Sequence, residues 1–121
     1  MRKSLREIVK DKILVLDGAM GTEIQKYKLT EEDFRGDRFA DVPGQMKGNN
    51  DMLNITRPEV ISDIYRRYIE AGADIITANT FSSQRISQAD YHLEAYAREM
   101  AFEGARLARI QADKFSTPDK P

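Results

Sequence analysis

The sequence predicts an α/β protein with two parallel strands, and three features lead to this class. A short apolar run at residues 13–16 ends at a charged residue and a glycine turn. An amphipathic helical stripe follows at residues 58–71, and a second short apolar run comes directly after it at residues 74–78. Because antiparallel neighbours do not need so long a crossover, this order predicts parallel pairing.

Capping residues and apolar spacing predict the N-terminal helices. Ser4, with Glu7 three positions later, is typical of a capping box and predicts a short leading helix. Residues 22–27 predict one or two helical turns with Ile24 facing inward. From residue 28 to residue 54 the periodicity fails, so we expect a long irregular loop, which is uncommon in a compact domain unless it is functional. The apolar anchors of this loop are Phe34, Phe39, Val42 and Met46.

Two longer helices are predicted in the second half of the chain. Thr56 as the cap and Pro58 in the first turn predict the start of the central helix, and Gly72 predicts its end. A second stripe predicts one long helix over residues 87–115, in which Gly104 permits close packing. The core-facing stripe of the central helix comprises Val60, Ile61, Ile64, Tyr65, Tyr68 and Ile69.

The composition narrows the class of partner. The chain of 121 residues has 19 basic and 20 acidic residues, a formal net charge of -1 and no basic cluster. This balance favours a small-molecule or protein partner over nucleic acid or an anionic membrane surface. The N-terminus lacks the apolar run of a signal peptide and no stretch reaches membrane-spanning length, so we expect a cytoplasmic protein. The absence of cysteine excludes disulfides and a thiolate metal site built from this chain alone.

Two polar groups follow the predicted strands directly. Because ligands bind at the carboxyl ends of parallel strands, we expect residues 17–22 and 79–83 to share one face. The carboxylate of Asp17 suits the ammonium of an amino acid, and the backbone amides of the glycine turn suit its carboxylate. Asn79 and Thr80 add hydrogen-bonding groups to the same site.

Each of these residues also has a purely structural interpretation. Asp17 is also suited to capping the following helix, and Asn79, Thr80 and Ser82 are also suited to turns and caps. Three further candidates are weaker. Segment 48–51 either faces the same site or forms hydrogen bonds with its own backbone, and Glu23 either enters the site or stabilises a helix N-terminus by its charge. The sole histidine, His92, is interpreted as a surface residue.

Five separated segments carry a family resemblance: LDGAMGT at 16–22, FRGDRF at 34–39, KGNND at 47–51, EAGADII at 70–76 and ANTF at 78–81. In sequence and order they resemble the start of the homocysteine-binding domain of the cobalamin-dependent methionine synthases. The glycine turn alone recurs across homocysteine methyltransferases generally. The loop at residues 34–51 favours the cobalamin-dependent enzymes over relatives that use other methyl donors.

This resemblance implies a (β/α)8 TIM barrel that binds homocysteine at its carboxyl-end face. A complete barrel takes roughly 250 residues. We therefore expect residues 1–121 to be the N-terminal part of such a domain, an incomplete barrel with a short helix and the first two strand–helix units. Asp17, Gly18 and Ala19 would then bind the amino-acid end of homocysteine, together with Asn79 and Thr80.

The resemblance also implies the reaction and its cofactors. The methyl group passes from methylcobalamin, which is recharged by 5-methyltetrahydrofolate on further domains, to homocysteine, giving methionine. A zinc ion held by three cysteines activates the substrate thiol. Those cysteines lie outside this chain, so we expect neither zinc nor cobalamin to bind it alone, and we expect no catalysis by it alone.

Three alternatives remain open from the sequence. The chain could belong to a cobalamin-independent homocysteine S-methyltransferase, or it could be a non-catalytic fragment that binds an amino acid. A barrel lyase of the aldolase type has less support, because no lysine stands at a predicted strand end. The expected protein partners are the remaining barrel and the cobalamin and folate domains of the full-length enzyme. Two parallel strands leave unpaired edges and an uncovered apolar helix face, so we expect the isolated chain to self-associate or to be only loosely folded.

Overall fold

The computed structural model describes residues 3–118, and helix is the main regular structure in that range. The α-helices in chain order are α1 (Leu5–Ile8), α2 (Met20–Gln25), α3 (Glu31–Arg35), α4 (Leu53–Thr56), α5 (Pro58–Ala71), α6 (Arg85–Ala89) and α7 (Ala97–Phe115). Short 3₁₀ turns at Asn50–Met52 and Glu94–Tyr96 lead into α4 and α7.

Local capping produces the first helix, and one apolar contact anchors the second. The Ser4 hydroxyl accepts a hydrogen bond from the Glu7 backbone N–H at 3.3 Å, while the Glu7 carboxylate accepts one from the Ser4 N–H at 2.7 Å. This reciprocal pair is the predicted capping box. Ile24 of α2 is 3% exposed and lies in the core. Both predictions are confirmed.

The two predicted strands are reduced to one parallel bridge between Leu16 and Ile75. The Asp17 N–H donates to the Ile75 carbonyl at 2.9 Å, and the N–H groups of Asp74 and Ile75 donate to the Val15 carbonyl at 2.8 and 3.2 Å. The parallel direction is therefore confirmed. The predicted extents, residues 13–16 and 74–78, are wrong, because no longer strand forms between residues 3 and 118.

The predicted burial of the first apolar run is also wrong. Ile13 is 90% exposed, Val15 54% and Leu16 61%. Two paired strands are marginal in water without further strands or a covering helix, and in the described range no third segment pairs with either run. The run therefore stays extended and accessible, and the (β/α)8 barrel stays a prediction.

Residues 28–54 contain helices where the sequence predicted an irregular loop. Helix α3 forms because Thr30 and Asp33 make a second capping box, with bonds of 2.8 and 3.2 Å between backbone N–H and side-chain oxygen. The stretch that follows is irregular and is fixed by side chains. Arg35 donates to carbonyl groups of the 39–44 loop, and Glu31 accepts from the Lys47 N–H at 2.7 Å. The predicted anchors Phe34, Phe39 and Met46 are buried, and Val42 is half-buried.

Helix α5 places its apolar stripe in the core, as predicted. Val60, Ile61, Ile64 and Tyr65 are buried, and Tyr68 and Ile69 are half-buried. Gly72, with φ of +120°, ends the helix in a conformation that favours glycine. The predicted cap is wrong: Thr56 ends α4, where its hydroxyl donates to the Met52 carbonyl at 3.2 Å, and Arg57 precedes α5 without a side-chain cap.

The single long helix predicted over residues 87–115 is wrong, because the chain turns between α6 and α7. The Leu93 N–H reaches back to the Gln88 carbonyl at 3.0 Å, and His92 has φ of +61°. A left-handed residue with such a bond terminates a helix. Beyond the turn, α7 packs against α5 and closes the core, which comprises Ile24, Phe34, Phe39, Met46, Met52, Leu53, Val60, Ile61, Ile64, Tyr65, Leu93, Met100 and Leu107.

The packing predicted at Gly104 is confirmed. A β-carbon added there would lie 2.6 Å from Thr80 Cγ2 and 2.7 Å from Asn54 Nδ2. Helix α7 therefore approaches segment 79–83 as closely as only a glycine permits. In the described range none of the helices has the length and apolar content that a membrane crossing requires.

Candidate amino-acid binding site

The residues predicted to share a site lie at one end of the Leu16–Ile75 bridge. Asp17 follows Leu16, and segment 79–83 begins four residues after Ile75. Tyr65 of α5 joins the two, because its hydroxyl oxygen accepts the Asn79 N–H at 2.8 Å and the Asp17 charge acts on it. Burial, with smaller contributions from nearby carboxylates, raises the pKa of Tyr65 to about 12, so it is a neutral hydroxyl at pH 7.

Asp17 does not cap the helix that follows it. Helix α2 begins at Met20 after Ala19, without a side-chain cap. The carboxylate of Asp17 instead accepts the Thr77 N–H at 2.9 Å and the Thr77 hydroxyl at 3.0 Å, which extends the pairing beyond the bridge. In residues 3–118 no cation pairs with this half-buried carboxylate. The helix-cap alternative is therefore wrong, and Asp17 keeps acceptor capacity for an ammonium group.

Gly18 and Ala19 form an exposed backbone corner. Their N–H groups donate to no protein group in the described range. The Tyr68 hydroxyl donates to the Ala19 carbonyl at 2.8 Å and lies directly under Gly18, where an added β-carbon would be 2.8 Å from the hydroxyl oxygen. Tyr68 thus supports the corner from below and requires glycine at position 18. The two free donors suit a carboxylate.

Asn79 is held by its neighbours. Its side-chain amide donates to the Asn50 carbonyl and to Asn54 Oδ1, both at 3.0 Å, and its own carbonyl accepts from Asn54 Nδ2 at 2.8 Å. Only 7% of the residue is exposed. Thr80 is half-buried, with its methyl group against Gly104. The structure thus places Asn79 near the site but commits its amide donors to the protein.

Segment 49–51 contributes more than the sequence suggested. Asn49 forms a reciprocal amide pair with Gln88 at 2.8 and 3.1 Å, and Asp51 accepts from Ser82 and Ser83. None of these bonds returns to the segment's own backbone, which was the structural interpretation of this stretch. In the sequence, the asparagine-rich motif indicates a hydrogen-bonding segment, but its hydrogen-bond partners lie about thirty to forty residues further along the chain.

The other weak candidates lie outside this arrangement. Glu23 pairs with Lys26 and Arg67, each at 2.9 Å. His92 is an exposed turn residue.

Next to the glycine turn, a groove of about 510 Å³ opens between α2 and the 47–50 segment. It is lined by Gly21, Ile24, Gln25, Lys28, Leu29, Phe34, Lys47, Gly48 and Asn50.

The sequence model of the homocysteine S-methyltransferase family matches residues 14–120. The chain belongs to the homocysteine S-methyltransferase family. The match covers both parts of the site just described, the glycine turn and segment 79–83. The chemistry of this enzyme family is methyl transfer to homocysteine.

The resemblance also implied zinc, and the residues of this chain do not fit that ion. The sequence has no cysteine, and within residues 3–118 no three His, Asp or Glu side chains converge as metal ligands. Zinc sites take three or four such ligands. We therefore derive no catalytic step through zinc for this chain.

Proposed function

We propose that this chain binds the amino-acid end of homocysteine as part of a cobalamin-dependent methionine synthase. In such an enzyme the methyl group passes from methylcobalamin, recharged by 5-methyltetrahydrofolate, to the homocysteine sulfur. Family membership supports methyl transfer to homocysteine. The motifs at residues 34–39 and 47–51 support the cobalamin-dependent branch over cobalamin-independent relatives.

The observation that carries this proposal is that, among the described residues, a carboxylate that pairs with no cation lies beside two backbone amides that have no acceptor. Asp17 directly precedes Gly18 and Ala19, whose N–H groups donate to no protein group within residues 3–118. An amino acid presents an ammonium and a carboxylate on one carbon, so adjacent acceptor and donor groups match both. A charge-assisted hydrogen bond contributes roughly 1.5–3 kcal/mol, which is enough to orient a small ligand.

Asn79 and Thr80 have a secondary role in the proposal. The amide donors of Asn79 are already bonded, so this residue shapes the wall of the site through its backbone and its fixed position. Thr80 is half-buried beside it, and its hydroxyl is the group we assign to ligand contact. The sulfur end of homocysteine would extend away from the Asp17 corner, because both ends of the amino-acid group are bound there.

Catalysis requires groups that these residues do not supply. Homocysteine reacts as a thiolate, and the chain offers no cluster of metal ligands in its described part and no cysteine in its sequence. We propose that further barrel, cobalamin and folate domains provide them. We predict no detectable methyl transfer by the purified chain supplied with methylcobalamin and homocysteine. Methionine formed at a rate above the uncatalysed reaction would contradict this.

Binding tests the proposal independently of catalysis. Isothermal titration calorimetry of the chain with homocysteine should detect binding, and Asp17→Asn, which keeps the shape and one acceptor, should weaken it about tenfold to a hundredfold. Asp11→Asn, at an exposed aspartate outside the site, is the matched control and should bind normally.

Two substrate analogues separate the two halves of the site. 4-Mercaptobutanoate lacks the ammonium, so its weak binding should be the same to the wild type and to Asp17→Asn. 3-Aminopropanethiol lacks the carboxylate and should remain sensitive to Asp17→Asn. Equal affinity of the wild type and Asp17→Asn for homocysteine would remove Asp17 from the site.

A further inference from the structure

Asp51 is a buried carboxylate. It lies in the 3₁₀ turn at Asn50–Met52 and is 3% exposed. Both of its hydrogen bonds go to one distant loop: Oδ2 accepts the Ser82 N–H at 2.7 Å and the Ser83 hydroxyl at 2.6 Å. No ion pair to it forms in the part of the chain that the structure describes. Burying such a group is costly, and burial raises the pKa of Asp51.

The Ser82 peptide is held on both of its sides. Asp51 accepts its N–H, and Gln88 Nε2 donates to its carbonyl at 2.9 Å. Gln88 is itself fixed by the amide pair with Asn49, and both of those residues are buried. Neither carbonyl nor amide of Ser82 is therefore free to reorient without breaking a buried hydrogen bond.

Consecutive residues 49–51 thus hold segment 79–83 at several points. Asn49 acts through Gln88, Asn50 accepts the Asn79 amide, and Asp51 binds Ser82. The same turn also lies close to α2, since an added β-carbon at Gly21 would lie 3.7 Å from the Asn50 side-chain amide. Residues 49–51 therefore hold segment 79–83 and lie next to α2, the helix that follows the Asp17 corner.

We propose that Asp51 is a positioning residue for homocysteine binding: by holding the Ser82 peptide it fixes Asn79 and Thr80 opposite the Asp17 corner. This inference rests on the proposed function and deepens it. Asp51 is buried behind segment 79–83 and acts on the ligand through Thr80. Its hydrogen-bonding capacity is what matters, so an amide of the same shape should replace it, and alanine should not.

Two measurements test the proposed role of Asp51, the first on the loop and the second on homocysteine binding. In hydrogen exchange followed by NMR, the Ser82 amide should exchange at least tenfold faster in Asp51→Ala than in the wild type. The Ile75 amide, which donates to the Val15 carbonyl, is the internal control and should be unchanged. Unchanged exchange at Ser82 would show that Asp51 does not hold the loop.

In calorimetry, Asp51→Ala should bind homocysteine at least tenfold more weakly, and Asp51→Asn should stay within about threefold of the wild type. Thr30→Ala, which removes the α3 cap but none of the hydrogen bonds to segment 79–83, controls for a general loss of stability and should bind normally. In a double-mutant cycle, Asp51→Ala should be non-additive with Thr80→Val and additive with Asp17→Asn. If Asp51→Ala does not fold, Ser83→Ala removes one of the two bonds and should weaken binding about threefold.

The outcomes separate this proposal from the one on which it rests. If the wild type binds no homocysteine, the proposed function fails and this inference fails with it. If the wild type binds but Asp51→Ala or Ser83→Ala binds equally well, only the positioning role fails. It also fails if Asp51→Asn loses as much affinity as Asp51→Ala, because the loss would then not follow hydrogen-bonding capacity.

Discussion

Replacing Gly104 by alanine should destabilise the fold, although alanine is the better helix former. The new β-carbon would meet Thr80 Cγ2 at 2.6 Å and Asn54 Nδ2 at 2.7 Å, both shorter than real β-carbon contacts. The backbone carbonyl of Asn79 at 3.2 Å prevents escape on the third side. Either α7 moves away from segment 79–83, or the Asn54 side chain is displaced.

The expected change in the free energy of unfolding is the sum of one favourable and two unfavourable contributions. Alanine gains up to about 1 kcal/mol over glycine inside a helix. Overpacking costs about 1–3 kcal/mol. Displacing Asn54 also breaks its buried bonds to the carbonyls of Asn79 and Met100, and leaving such groups unpaired costs about 1–3 kcal/mol more. The net loss of unfolding free energy should be about 3 kcal/mol.

Urea denaturation followed by circular dichroism measures this loss. Ala105→Gly, at the exposed neighbouring position in α7, provides the helix-propensity term and should cost about 1 kcal/mol. Thr80→Ser removes the methyl group at the closest contact, so Gly104→Ala should cost at least about 1 kcal/mol less in that background. A Gly104→Ala chain as stable as the wild type would refute the close-packing argument, as would a penalty that Thr80→Ser leaves unchanged.

Further outcomes follow from individual groups. Gly18→Ala should displace Tyr68 and weaken homocysteine binding severalfold in calorimetry, and unchanged affinity would contradict the tight corner. Tyr65 should ionise near pH 12, seen as the difference between ultraviolet titrations of the wild type and Tyr65→Phe, and a difference transition near pH 10 would be inconsistent with burial. Because its pKa rises from 10.0, Tyr65 contributes about 3 kcal/mol to the free energy of unfolding below pH 10, and this contribution is lost towards pH 12. Burial raises the pKa of Asp51 above the unfolded value of 3.8, so its stabilising contribution is present below that pH and lost as the pH rises through the folded-state pKa. In urea titrations Asp51→Asn should therefore gain stability relative to the wild type as the pH rises above 3.8, and a difference that does not change with pH would argue against this. Sedimentation velocity should show self-association of the purified chain through its exposed apolar run, whereas a monodisperse monomer would contradict that expectation.

The longest helical patterns were predictable because their signal is local. The stripe of α5 repeats with the helical period, and Gly72 ends it in a left-handed conformation. Helix α3 was missed although its signal was present: Thr30 and Asp33 make a capping box with aspartate in the position where glutamate is usual. The break before α7 was missed because His92, which is not glycine, occupies the left-handed position.

The strand pairing and the hydrogen bonds of the site join residues that are far apart in the sequence. The local hydrophobic periodicity of the sequence does not indicate such contacts. An apolar run becomes a regular strand only where neighbours pair along its length, and residues 13–16 have one bridge. The sequence placed Asp17 at a strand end, but its bonds to Thr77 join residues sixty positions apart. Likewise, nothing near Asp51 indicated that Ser82 would bind it.

The contacts of Asp17 link ligand binding to folding. The carboxylate that we assign to the ammonium of homocysteine is also the group that continues the pairing of the two extended segments through Thr77. A ligand that binds only this arrangement stabilises it by mass action, by about 2.7 kcal/mol when its concentration is a hundred times its dissociation constant. Occupancy of the corner should therefore protect the Leu16–Ile75 bridge from opening, so that the substrate itself acts as part of the structure at this end of the chain.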